Sequence, residues 1–265
     1  MSLKGQIIAI TGASSGLGLH LSEQAASRGM HLALMARNEI KLHKLANKIG
    51  GDILVFPGDV TSKTDCKEFI NAIIEKFGSL DHLITNAGQS MWTNFDQIED
   101  IDLFRKLMDV NFMGVVNCIH PAMDTLKKNS GQIVIISSIQ SKFGVPSHSA
   151  YSASKHAIEG LIDSLRFELQ NSDINFMTVY PHWIRGTDMR QNALGYNGEK
   201  IGKEKRRHTN SSVPVEDCAH KILDALSKRP KSLYIPKKLK YLPALKLLLP
   251  PFFHWLIRSK LKTQK

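Results

Sequence analysis

The chain has 265 residues, 42% hydrophobic and 22% charged, which suits one large globular domain and excludes disorder of the whole chain. Its net charge of +11 raises nucleic acid as a partner, yet residues 231–265 hold nine Lys or Arg and no acid, leaving 26 basic against 24 acidic residues before them. Cys66, Cys118 and Cys218 form no CxxC pair, so no metal or redox site is expected and a reducing, cytoplasmic compartment is the simplest reading.

Met1-Ser-Leu-Lys-Gly runs straight into a strand-like segment, Gln6 to Ile10, so no secretory leader is expected. Directly after it stands Thr11-Gly-Ala-Ser-Ser-Gly-Leu-Gly18, which enters a helix carrying Leu19, Leu21 and Ala25. Gly12, Gly16 and Gly18 are spaced GxxxGxG, not GxGxxG. Glycine there lets the chain turn tightly and lets backbone N–H groups approach a pyrophosphate at a helix N-terminus, although a plain strand-to-helix turn would look the same.

Further β-branched runs follow at His31–Met35, Ile53–Phe56, His82–Thr85, Ile133–Ile136 and Asn175–Val179, with a weaker seventh at Ser232–Ile235. Between them, apolar residues recur at helical spacing, as in Phe69, Ile70, Ile73, Ile74 and Phe77. Alternating strands and helices predict an α/β fold, a doubly wound parallel sheet of about seven strands with helices on both faces, as a single domain. Ligands should then gather at the carboxyl ends of the strands.

Those ends carry reactive side chains. Asp59-Val60 follows the third strand and Asn86-Ala87-Gly88 the fourth. Ser138 follows the fifth and Pro181 the sixth. Tyr151 and Lys155 sit four apart in a helical stretch of small residues, so they share a helix face. A phenol with pKa near 10 needs about 4 kcal/mol to drop by about three units. An ammonium about 4 Å away supplies that at an effective dielectric near 20 but only about 1 kcal/mol in water, so the pair is expected to be dry.

The string TGxxxGxG, Asp59, Asn86-Ala-Gly88, Asn111, Ser138, Tyr151, Lys155 and Pro181, in that order over roughly residues 5–235, resembles the short-chain dehydrogenase/reductase family. The resemblance implies a Rossmann-type domain over residues 1–235 that interconverts a carbonyl and an alcohol with a nicotinamide cofactor. It makes Tyr151 the acid/base, Ser138 the stabiliser of the developing oxyanion, Lys155 the holder of the ribose hydroxyls and Asn111 a helix-kinking support. Gly12, Ser14, Ser15, Gly16, Leu17, Gly18, Arg37, Asp59, Val60, Asn86, Ala87, Gly88, Tyr151, Lys155, Pro181, Ile184 and Thr187 become the expected cofactor contacts. Loss of any catalytic residue would have favoured a silent nucleotide-binding scaffold or sensor, and none is lost.

At the end of the second strand, an NAD enzyme wants a carboxylate for the ribose diol, whereas a 2′-phosphate wants a guanidinium. Ala36-Arg37 therefore favours NADP, with NAD as the second choice and a surface helix cap as the bland reading of Arg37. One departure from the family is His182 where it usually has glycine, with one extra residue before Thr187. Met91, Trp92 and Met189 would flank the opening for a lipophilic substrate; Met91 and Trp92 serve equally as core residues.

Residues 188–212, polar, basic and glycine-containing, read as a mobile substrate loop. Residues 236–265 form a basic, leucine- and aromatic-rich appendix whose longest uncharged run, 247–257, is far short of the roughly 20 residues a spanning helix needs. Peripheral contact with the cytoplasmic face of an anionic membrane suits it, as does packing on a twin subunit in a dimer or tetramer or over its own cleft. Leucine richness disfavours nucleic acid.

Overall fold

The computed structural model describes residues 2–202 and 212–262. Each buried apolar run forms a strand: β1 (Ile7–Thr11), β2 (His31–Ala36), β3 (Ile53–Pro57), β4 (His82–Thr85), β5 (Gln132–Ile136) and β6 (Asn175–Pro181). Two short strands, β7 (Ile184–Arg185) and β8 (Val213–Pro214), pair separately, and β9 (Ser232–Ile235) is the expected seventh strand of the main sheet. The order is β3-β2-β1-β4-β5-β6-β9, with every neighbouring pair parallel.

Parallel pairing follows from the crossovers, which are helices: α1 (Gly16–Ser27), α2 (Glu39–Ile49), α3 (Lys63–Phe77), α4 (Asp102–Met108), α5 (Gly114–Lys128), α6 (Ser149–Glu168) and α7 (Val215–Leu226). They cover both faces. Leu17, Leu21 and Ala25 of α1 join Ile222 and Leu226 of α7 over Ile8, Ile10, Leu32 and Leu34. On the other face Phe69, Ile73, Ile119, Ala122, Ile158 and Ile162 cover Ala9, Leu83, Ile133 and Ile135. Coverage on both sides is why the strands read as unbroken apolar runs.

The chain leaves β1 toward β2 on one side and, later, toward β4 on the other, so a crevice opens above the carboxyl ends of β1 and β4. The glycine cluster and Asn86–Gly88 lie there.

Beyond β9 come a 3-10 turn (Lys237–Tyr241), α8 (Leu242–Leu248) and α9 (Pro250–Lys262). Leu239 and Phe253 bury themselves with Ile139 and Phe143, so the tail docks on the segment just after Ser138. Lys246 Nζ donates to the Lys142 carbonyl at 3.1 Å, and the Phe143 and Phe253 rings meet edge-on at 5.1 Å. Among the described residues no helix is long and apolar enough to cross a membrane. Of the expected mobile loop, residues 188–202 form turns tied back by Trp92 N–H to Leu194 O (2.8 Å) and Leu194 N–H to Ser90 O (2.9 Å); residues 203–211 lie outside the described residues.

Candidate active site

The glycine cluster is shaped by close approach. A Cβ on Gly12, at φ +67°, would fall 2.9 Å from Ala87 Cα, and one on Gly18 would fall 2.3 Å from the Gly12 carbonyl oxygen. Any side chain there would push α1 off the loop. Asn86 holds the loop from the far side: its Nδ2 donates to Thr11 O at 2.9 Å, while the Asn86 and Ala87 N–H groups donate to Thr11 Oγ1 at 3.0 and 3.1 Å. Ser15, at the N-cap of α1, offers no side-chain cap, so the first-turn N–H groups point outward without a side-chain partner from it. Leu17 and Val60 are buried in the apolar core, which leaves only their backbones for a ligand. Thr187 faces the loop, its Cβ 3.5 Å from where a Cβ on Gly16 would sit.

Asn38, not Arg37, caps α2, accepting from Lys41 N at 2.9 Å. The bland reading of Arg37 as a helix cap therefore fails. Its side chain is 73% exposed, and its guanidinium lies 3.8 Å from the Asp59 carboxylate, which in turn accepts from Thr61 N at 3.0 Å. Arg37 and Asp59 thus share one rim of the crevice. Pro181, buried, ends β6 beside Ile235, and Ile184 packs partly into the core.

On the other side of the crevice, Ser138, Tyr151, Lys155 and Asn111 are all buried. The helical chain breaks into a π-turn at Asp109–Met113, which aims Asn111 inward. Its Oδ1 accepts from Gln89 N at 2.8 Å, and its Nδ2 donates to Gln89 O and Ser154 Oγ, both at 2.9 Å. Ser154 Oγ donates on to Tyr151 O at 2.8 Å, so Asn111 ties the helix bearing Tyr151 to the loop after β4. Lys155 Nζ donates to Ile136 O at 2.9 Å and lies 5.8 Å from the Tyr151 ring centre.

The expected dry pair is present, but the expected acidification of the phenol is not. Burial pushes Tyr151 up to about 12, opposed by a hydrogen bond with Ser138. Burial also pushes Lys155 down to about 8, opposed by the Glu159 carboxylate. The same low dielectric that strengthens attraction penalises each charge alone, and an ammonium committed to a backbone carbonyl does not offset that for the phenol.

Residues 6–195 match the family described as short chain dehydrogenase. Over 265 aligned residues the chain is 35% identical to an 11-beta-hydroxysteroid dehydrogenase A of Arachis hypogaea, covering 97% of this chain and 76% of the relative. The chain belongs to the short-chain dehydrogenase/reductase family. It is accordingly an oxidoreductase of the nicotinamide-dependent class that acts on CH–OH groups. Two solved structures share the fold: a short-chain dehydrogenase/reductase from Burkholderia phymatum in complex with NAD (TM-score 0.80, 21% identity, 93% of this chain and 94% of that one) and an alcohol dehydrogenase from Thermococcus sibiricus complexed with 5-hydroxy-NADP (TM-score 0.71, 25% identity, 87% and 96%).

In this short-chain dehydrogenase the wall beside Tyr151 is aromatic. Met91 is fully buried, and its Sδ accepts from Ala150 N at 3.2 Å, so it is a core residue. Trp92 instead joins Trp183 at 5.9 Å and His148 at 4.8 Å between ring centres, with the Arg190 guanidinium 4.9 Å above its ring. Met189 is exposed. His148, Trp183 and Arg190 went unnoticed as a group in the sequence because they come from three separate loops. Only the spacing of His148, three residues before Tyr151, hinted at it.

Proposed function

We propose that the protein is an NADP(H)-dependent reductase of lipophilic carbonyl compounds, with Tyr151 as proton donor. The observation that carries the reading is the burial of Tyr151, Ser138 and Lys155 together at the carboxyl end of a parallel sheet, across the crevice from the glycine cluster. The glycine cradle, which a Cβ at Gly12 or Gly18 would fill, fits a dinucleotide. Reduced nicotinamide, when bound, supplies the hydride.

The chain supplies the rest. Tyr151 gives its proton to the carbonyl oxygen, and Ser138 Oγ donates a hydrogen bond that stabilises the oxygen as negative charge grows on it. Lys155 would hold the ribose hydroxyls, and Asn111 keeps the helix that carries both residues in place. Arg37 would accept the 2′-phosphate of NADP, with Asp59, Val60 and Asn86–Gly88 beside the adenine nucleotide and Pro181, Ile184 and Thr187 on the nicotinamide side. Aromatic walls from Trp92 and Trp183 support a lipophilic substrate. Its class is tested by following NADPH absorbance with ketosteroids, retinals, 3-ketoacyl thioesters and quinones; reduction of none of them would defeat the reading.

The tail is proposed to rest on an anionic lipid surface. Leu247, Leu248, Leu249, Phe252 and Trp255 are exposed, and Lys237, Lys238, Lys240, Lys246 and Arg258 accompany them without an acid. A second copy of the chain would cover the same leucines in a dimer or tetramer, which sizing by light scattering distinguishes.

A further inference from the structure

His148 ends the loop before α6, three residues from Tyr151. The residue is only 2% exposed, its ring edge-on to Trp92 at 4.8 Å, to Trp183 at 5.5 Å and to Tyr151 at 6.3 Å between centres. The turn that delivers it is strained: Ser147 sits at φ +64° and is held there by its Oγ donating to Asn94 Oδ1 at 2.7 Å and by Thr93 N–H donating to its carbonyl at 3.0 Å.

Chemistry fixes the tautomer. Nδ1 lies 2.9 Å from the Pro146 carbonyl oxygen, which only accepts, so Nδ1 carries the proton. Burial, with the Arg190 cation adding to it and the Pro146 bond opposing, pushes the imidazole down to about 4, so it is neutral at physiological pH. Nε2 is then a bare acceptor, and it is fully buried with no hydrogen-bond partner among the described residues. A buried acceptor in an aromatic wall, with no hydrogen-bond donor bound to it among the described residues, is poised for one that arrives with the ligand.

We propose that His148 Nε2 is a specificity-determining acceptor, taking a hydrogen bond from a hydroxyl that the carbonyl substrate carries close to its reacting group. The inference rests on the carbonyl-reductase reading and narrows it to hydroxyketones. A site built to receive a hydroxyl discriminates against the analogue without one, because the acceptor is then left unsatisfied.

The experiment compares phenacyl alcohol with acetophenone and β-hydroxypropiophenone with propiophenone, each with NADPH, in the wild type, His148→Asn and His148→Gln. Asparagine keeps a donor for Pro146 O but lacks the distal acceptor, whereas glutamine keeps an amide oxygen near the Nε2 position. Wild type should favour the hydroxylated member of at least one pair by roughly tenfold or more in kcat/KM. The preference should collapse toward one in His148→Asn and return in part in His148→Gln. Equal kcat/KM within both wild-type pairs, or a preference that survives His148→Asn, overturns the inference while leaving the reductase reading intact. A readout free of turnover is the ¹⁵N resonance of His148 Nε2 in the NADP-loaded wild type, which should move with a hydroxyketone and stay with its parent. Movement without turnover would support the acceptor and defeat the reductase reading; absence of movement with either hydroxyketone overturns the acceptor.

Discussion

Arg37 offers the sharpest test of cofactor choice. At 73% exposed it works close to bulk water, where two unit charges about 4 Å apart attract by about 1 kcal/mol. A 2′-phosphate carries roughly 1.5–2 negative charges by analogy with other phosphomonoesters, so Arg37 should favour NADPH over NADH by about 1.5–2 kcal/mol. Arg37→Glu turns that attraction into repulsion of similar size, a swing of about 3–4 kcal/mol, or two to three orders of magnitude in the ratio of kcat/KM values. Arg37→Gln should fall midway. Because the contact is exposed, the swing should shrink as salt rises from about 0.01 to 1 M and the screening length falls from about 30 to 3 Å. Asp59, 3.8 Å from the guanidinium, already stands on the same rim, so the phosphate must compete with it for Arg37. Steady-state kinetics with both cofactors at two salt concentrations measure the ratio directly. A wild type that uses NADH as well as NADPH, or a ratio that Arg37→Glu leaves unmoved, refutes the reasoning.

Tyr151→Phe should retain NADPH binding by fluorescence titration yet lose about 10²–10⁴ in kcat, and near-normal turnover would remove the phenol from the chemistry. Gly18→Ala places a methyl 2.3 Å from the Gly12 carbonyl, so it should lower the midpoint of thermal unfolding and weaken cofactor binding together; unchanged binding would mean that the loop does not cradle the dinucleotide. His82 and His148 are both pushed down to about 4 from 6.5, chiefly by burial. Depressed values mean that the unfolded chain takes up protons first, so stability is full above about pH 6.5 and falls toward pH 4, by about 3 kcal/mol for each residue. Urea midpoints across that window should decline less steeply in His82→Gln, and an identical decline would exclude its contribution. Serine at Leu247, Leu248 and Trp255 together should abolish pelleting with phosphatidylserine vesicles while the protein stays folded, since all three are exposed; undiminished pelleting removes the membrane proposal.

Much of the fold could be read directly because a parallel sheet covered on both faces writes its strands as unbroken apolar runs, and helical crossovers write theirs at a different period. Even the weak strand β9 held, since Ser232–Ile235 finds β6 as its partner. Tyr151, Lys155 and Ser138 were readable for a related reason: strand ends and a four-residue helical spacing fix where such side chains go. The sign of the Tyr151 shift was not readable, because spacing shows that an ammonium is near but not what else holds it. Lys155 is bound to Ile136 O, a backbone partner that no side-chain pattern announces. Met91 and Trp92 are neighbours in sequence with opposite fates, one in the core and one on the aromatic wall, and only the pairing with Leu194 separates them. His148 needed Pro146 O to fix its tautomer and Trp183, from a different strand end, to bury it.

The tail and the site are less separate than the sequence suggests. Phe253 of α9 packs on Phe143, and Lys246 binds the Lys142 carbonyl, within the segment that begins at Ser138 and leads through Pro146 to His148 and Tyr151. Lys142 Nζ in turn pairs with Glu159 at 2.6 Å, and Glu159 accepts from Tyr180 and is the carboxylate that opposes the downward shift of Lys155. Cutting the chain after β9 would therefore do more than remove the proposed lipid contact: it would uncover Ile139 and Phe143 and loosen the loop that leads to Tyr151. Serine substitutions on the exposed face spare those contacts. Lipid binding lost with turnover kept is thus the signature of an outward-facing anchor, whereas loss of both together marks the docking of α9 on Phe143 as part of the active-site wall.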